Sequence, residues 1–208
     1  MPKSHKNSVL LSLDESTLSL DLISLLTQEE RARTILLLTD KVFYKKIKSD
    51  GNLKGFKNVV LISKFTQDNL EKALSTLDKE SISSLALFNM NLEKVNSSLD
   101  STEETNFLLD YGLHFNLLLG NYFKGSIINN RGKILLPIYY YKNEILMTNG
   151  LYAGIYTALE RYYQSLSKSM LLTPAKVEIL YIKAPSEYTL LKYKNILKLI
   201  QDTLYQEI

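Results

Sequence analysis

The tightest constraint on the fold lies in residues 150–172. There Leu151, Ile155, Leu159, Tyr162, Leu166 and Met170 recur at steps of three and four. That spacing predicts a core-facing helix of about six turns. Pro174 stops it, and the β-rich run 176–182 follows, ahead of Ala184-Pro185. A long helix feeding a buried strand is half of a βαβ unit, so the chain must supply the other half.

It does so in order. Short apolar runs at 8–13, 34–39, 58–63, 82–89, 133–140 and 176–182 are predicted strands. Ser16 or Thr17 caps a helix running to about residue 30, and a short helix spans 41–48. Thr66 or Asp68 caps another, to about residue 79; an apolar helix covers 106–124, and an amphipathic one closes the chain over 188–205. Asn129-Asn130-Arg131-Gly132 reads as a turn. The strands are continuously apolar, the pattern of a parallel sheet covered on both faces. The expected fold is α/β, a doubly wound parallel sheet of about six strands in a three-layer α/β/α sandwich. One domain would cover 1–208, with a flexible start at 1–7, a mobile loop at 93–105 and a C-terminal helix within 186–208.

At 208 residues, 45% hydrophobic and 23% charged, the chain suits one domain with a sizeable core. A net charge of +3, its lysines spread along the chain, gives no footprint for nucleic acid. No cysteine is present and only His5 and His114 among histidines, which excludes disulfides, thiolate catalysis and Cys- or His-rich metal sites. His114 lies among apolar residues and is expected buried or at an interface. No apolar run reaches the length of a bilayer span, and the basic start makes a poor signal peptide. The expectation is a soluble cytoplasmic protein without a transmembrane segment.

Residues 152–185, YAGIYTALERYYQSLSKSMLLTPAKVEILYIKAP, resemble the part of the short-chain dehydrogenase/reductase family that begins at its catalytic tyrosine. That part runs through the helix carrying Tyr-x-x-x-Lys and into the strand before Pro-Gly. GKILLPIYY, at 132–140, is similar to the family's preceding strand, and Tyr139 stands thirteen residues before Tyr152, the family's separation of serine and tyrosine. VLLSLDESTLSL, at 9–20, takes the place of strand, Gly-x-x-x-Gly-x-Gly and helix. The resemblance implies a Rossmann-like sheet, a nicotinamide cofactor and tyrosine acid/base chemistry.

Several positions depart from that pattern. Tyr152 is kept, Tyr156 replaces the lysine, Tyr139 replaces the serine, and Asn116 is the nearest match to the family's helix asparagine. An unassisted phenol ionises near ~10 and transfers protons poorly at neutral pH. The nucleotide loop (Ser12, Asp14, Glu15, Ser16, Leu18, Leu20) has no glycine to let the backbone approach a pyrophosphate, and two acids stand where the dianion would sit. Asp14 and Glu15 read as a helix-dipole arrangement instead of a metal site. Phe88-Asn89-Met90-Asn91 and Pro185-Ser186 also lack the family's glycines.

From these losses the sequence is expected to encode a non-catalytic family member, not an enzyme, with no cofactor and no metal. It would act as a protein-interaction scaffold, dimerising with itself or a partner through 106–124 and 150–172. Phe107, Leu108, Phe115, Leu119, Tyr162 and Leu166 are the interface candidates, with Tyr139 and Tyr156 filling the old cleft. The alternatives are an NAD(P)-dependent oxidoreductase with atypical cofactor binding and Tyr152 as its acid, and a module binding a small molecule or lipid in that cleft. The last helix, with Lys192, Lys194 and Lys198 on its polar side, could also touch a membrane surface, although covering the sheet is its commoner role.

Overall fold

The computed structural model describes residues 8–13, 17–27, 34–49, 58–62, 67–88, 102, 105–106, 109–140, 150–183 and 190–205. The expectations for 1–7 and for most of 93–105 lie outside the described residues. Strands β1 (Ser8–Leu13), β2 (Thr34–Asp40), β3 (Asn58–Ile62), β4 (Ile82–Phe88), β5 (Lys133–Tyr140) and β6 (Lys176–Lys183) form one sheet in the order β3-β2-β1-β4-β5-β6. All neighbours run parallel. Helices α1 (Thr17–Thr27), α2 (Lys41–Ser49), α3 (Gln67–Ser75), α4 (Phe115–Asn129), α5 (Gly150–Met170) and α6 (Leu190–Tyr205) alternate with the strands.

The central strands are apolar on both faces because helices cover both. Val9, Leu10 and Leu11 of β1 and Leu85, Ala86 and Leu87 of β4 are closed to solvent, as are Ile134, Leu135 and Leu136 of β5. In register, Leu11 pairs with Leu37 and with Ala86, and Ala86 with Leu135. Burial of such side chains supplies roughly 1.5–3 kcal/mol each.

The strand order reverses at β1 and β4, which are adjacent and parallel although three helices and two strands intervene in sequence. This is the switch point at which open α/β sheets bind ligands, beyond the carboxyl ends of the strands. Strands β4 and β5 pair over Ser84–Ala86 and Lys133–Leu135, and among the described residues the ladder goes no further. Just past it stands Pro137, which has no N–H to donate.

At the opposite edge α4 ends in a backbone clasp. Gly132 N–H donates to the Ile127 carbonyl (2.8 Å) and Arg131 N–H to that of Ile128 (3.1 Å), the paired bonds of a Schellman motif. Arg131 takes the left-handed position at φ 52°. A Cβ on Gly132 would collide with the Ser83 carbonyl oxygen. Asn130 Nδ2 donates to the carbonyls of Glu80 (2.9 Å) and Ile82 (3.0 Å), and Ser126 Oγ to that of Lys79 (2.6 Å). The end of α4 is thereby tied to the start of β4.

Two helix bounds differ from the sequence reading. Helix α3 ends at Ser75, short of residue 79, because Lys79–Ser81 form a separate 3₁₀ turn entering β4. The apolar helix expected over 106–124 passes through a π-helical turn at Leu109–His114, then continues as α4 to Asn129.

Candidate functional site

Helix α4 starts at the carboxyl edge of the sheet, since it must return the chain from β4 to β5. Its entry is the π-helical turn, a form concentrated at functional sites. One turn beyond, Asn116 is fully buried. Its Nδ2 donates to the Gly112 carbonyl within that turn (2.7 Å), and its Oδ1 has no hydrogen-bond partner among the described residues. A buried acceptor left open costs about 1–3 kcal/mol. Such a group in a native fold calls for an explanation.

Helix α5 packs against α4 and against the π-helical turn. The approach is close because Gly120 faces Tyr162, whose hydroxyl is 3.2 Å from both the Leu117 carbonyl and Asn121 Oδ1. This seam fixes the start of α5, where Tyr152 and Tyr156 stand one turn apart. Tyr156 is half-buried with its hydroxyl shielded from solvent. Tyr139 lies near the end of β5, paired in register with Ile182.

At the nucleotide position, Ser12 is buried at the end of β1 and Leu20 packs on the core from α1, while Leu18 sits in the first turn of that helix. Asp14, Glu15 and Ser16 lie outside the described residues. Three residues separate Leu13 from Thr17, none of them glycine and two of them acids. In sequence, this link offers no glycine for the close approach of a pyrophosphate and sets two acids ahead of α1.

The interface expectation is corrected by burial. Phe115, Leu119 and Leu166 are 3%, 0% and 4% exposed within this one chain, so they serve its own core and offer no surface to a partner. Tyr162 is half-buried with its hydroxyl engaged across the α4–α5 seam, and Phe107 and Leu108 lie outside the described residues. His114, expected buried or at an interface, is not buried: its side chain is 67% exposed beside Asp110 at 3.3 Å. The exposed side of the π-helical turn carries it outward.

The missed features are the π-helical turn and the orphaned Asn116 oxygen. The only signal in the sequence was an asparagine amid apolar helix residues. Among the described residues no three His, Asp or Glu side chains gather as metal ligands, and no helix is long and apolar enough to cross a membrane.

No protein-family model matches the sequence, and no curated protein does either. Solved structures do match. An Aeromonas hydrophila protein placed among the short-chain dehydrogenase/reductase family oxidoreductases superposes with a TM-score of 0.71 at 12% identity, over 97% of this chain and 93% of that one. The chain has the short-chain dehydrogenase/reductase fold. The bulky-bulky ketone specific alcohol dehydrogenase of Comamonas testosteroni gives 0.68 at 10% identity, over 99% of this chain and 88% of that one. Glucose dehydrogenase of Caenorhabditis elegans gives 0.68 at 12% identity, over 97% and 90%. These neighbours correct the expectation that the chain is not an enzyme. Along nearly all its length it follows the fold of structures named as oxidoreductases and dehydrogenases.

Proposed function

We propose that this chain is an oxidoreductase acting on a carbonyl or hydroxyl substrate at the carboxyl edge of the sheet. Tyr152 is its acid, and its NAD(P) is held in an atypical mode, away from the β1–α1 link. The observation that carries the reading is Asn116, buried beside a π-helical turn with its side-chain oxygen open. By the resemblance, Asn116 is the nearest match to the family's helix asparagine. The dehydrogenase neighbours support the same reaction class, and the ketone and sugar chemistry in their names suggests where to begin with substrates.

The position one turn after Tyr152 is Tyr156, where the family has a lysine. Slow turnover is the expected consequence: ketone reduction needs the protonated phenol and falls toward alkaline pH, whereas oxidation of an alcohol needs the phenolate and rises.

The test is calorimetric titration with NADH and NADPH, followed by turnover on a panel of ketones and sugars. Micromolar nucleotide binding, with turnover abolished by Tyr152→Phe, supports the proposal. Absence of binding up to millimolar nucleotide, or full activity in Tyr152→Phe, overturns it.

A further inference from the structure

On the face of the sheet away from α4 and α5, α6 lies alongside α1. Between the two helices runs a groove of about 520 Å³, within the size range of small-molecule sites. Its apolar wall is made by Leu25, Leu197 and the ring of Tyr193. Its polar groups are Asp21, Ser24, Lys194, Lys198 and Gln201.

Two of these stand out. Gln201 is 4% exposed, and its Nε2 has no hydrogen-bond partner among the described residues. A buried donor without an acceptor is destabilising unless something else completes it. An acceptor entering the groove would do so. Lys194 and Lys198 are exposed on the same helix as Gln201, seven and three residues before it, spacings that place all three on one side of α6. The opposing acid, Asp21, already accepts a hydrogen bond from the Tyr193 hydroxyl (2.8 Å). The formal charges of the groove are therefore two cations against one anion that is already engaged.

We propose that this groove binds a small amphipathic carboxylate. The apolar body lies on Leu25, Leu197 and Tyr193, a carboxylate oxygen accepts from Gln201, and Lys194 and Lys198 balance the charge. Asp21, held by Tyr193, disfavours ligands of higher negative charge. The site lies on the opposite face of the sheet from Asn116, so it is separate from the reaction centre proposed above and does not depend on it.

The probe is decanoate, titrated calorimetrically and by displacement of the anionic dye 8-anilinonaphthalene-1-sulfonate, with decanol as the uncharged control. Saturable one-to-one decanoate binding is expected, at least tenfold tighter than decanol. The surface double variant Lys194→Glu/Lys198→Glu is expected to bind decanoate at least tenfold more weakly, with its unfolding temperature unchanged. Gln201→Met, which keeps the shape and removes the donor, is expected to weaken decanoate likewise. Equal affinity for decanoate and decanol, unaltered affinity in the lysine variant, or no binding to millimolar decanoate overturns the proposal. Because the lysines are exposed, their variant decides the matter even if Gln201→Met does not fold.

Discussion

Gly120 of α4 and Tyr162 of α5 meet so closely that a Cβ on the glycine would collide with the tyrosine hydroxyl. The glycine is needed for the approach of the two helices, not for any unusual backbone angle. Gly120→Ala should therefore force the phenol aside and detach it from the Leu117 carbonyl and Asn121, costing about 1–3 kcal/mol by urea unfolding. In a Tyr162→Phe background the same substitution should cost clearly less, since the colliding atom is gone. Additive penalties would show that the two residues are not coupled.

Alkaline pH should weaken the fold through the same pair of tyrosines. Burial pushes the Tyr162 hydroxyl up to about 12. Burial also raises Tyr163, with the neighbouring Tyr162 charge adding to it. The unfolded chain releases these protons near ~10, so above that pH it binds fewer protons than the folded chain. Stability is then intact below pH ~10 and falls as pH rises past it. Urea unfolding at a series of pH values should show this decline, and Tyr163→Phe should flatten it. An unchanged slope in that variant would place the loss elsewhere.

The turn after α4 separates two kinds of backbone constraint. Arg131 holds φ 52°, a conformation that costs a residue with a Cβ roughly 1–2 kcal/mol. Arg131→Gly should accordingly raise stability by about 1 kcal/mol in chemical denaturation. Its neighbour should respond in the opposite sense. Gly132→Ala drives a methyl into the Ser83 carbonyl and should cost more than ~2 kcal/mol.

Asn116 distinguishes a functional residue from a structural one. Asn116→Leu loses the bond to the Gly112 carbonyl but also removes the orphaned acceptor. Stability within ~1 kcal/mol of the parent, or above it, is expected, together with at least a tenfold fall in turnover. A large loss of stability would mark the residue as merely structural.

Much of the layering was legible because a strand buried on both faces writes itself as an unbroken apolar run. The 8–13 and 133–140 runs match β1 and β5 to the residue. What failed was direction around a helix. The α5 stripe was drawn through Tyr162, yet Tyr163 is the one closed to solvent at 1% exposure. Both fall three or four residues from Leu159 and Leu166, so spacing alone could not choose. Phe115 and Leu119 looked available to a partner for a related reason. Helix α4 is apolar on several sides, and composition does not say which side meets the sheet. The π-helical turn left no trace because one extra residue in a turn leaves apolar spacing almost unchanged. In the site, missing glycines were legible, whereas the open oxygen of Asn116 emerges only once its surroundings are packed.

The clasp between α4 and the start of β4 bears on how this chain could evolve. Ser126 and Asn130 reach the carbonyls of Lys79, Glu80 and Ile82, so the long excursion between them is cinched shut at its base. Residues inserted into that excursion would lengthen a loop whose ends are already fixed. The entropy of such lengthening grows only logarithmically, about 0.6 kcal/mol for each doubling. Descendants of this sequence could thus vary the chain at the carboxyl edge of the sheet while the sheet beneath kept its register.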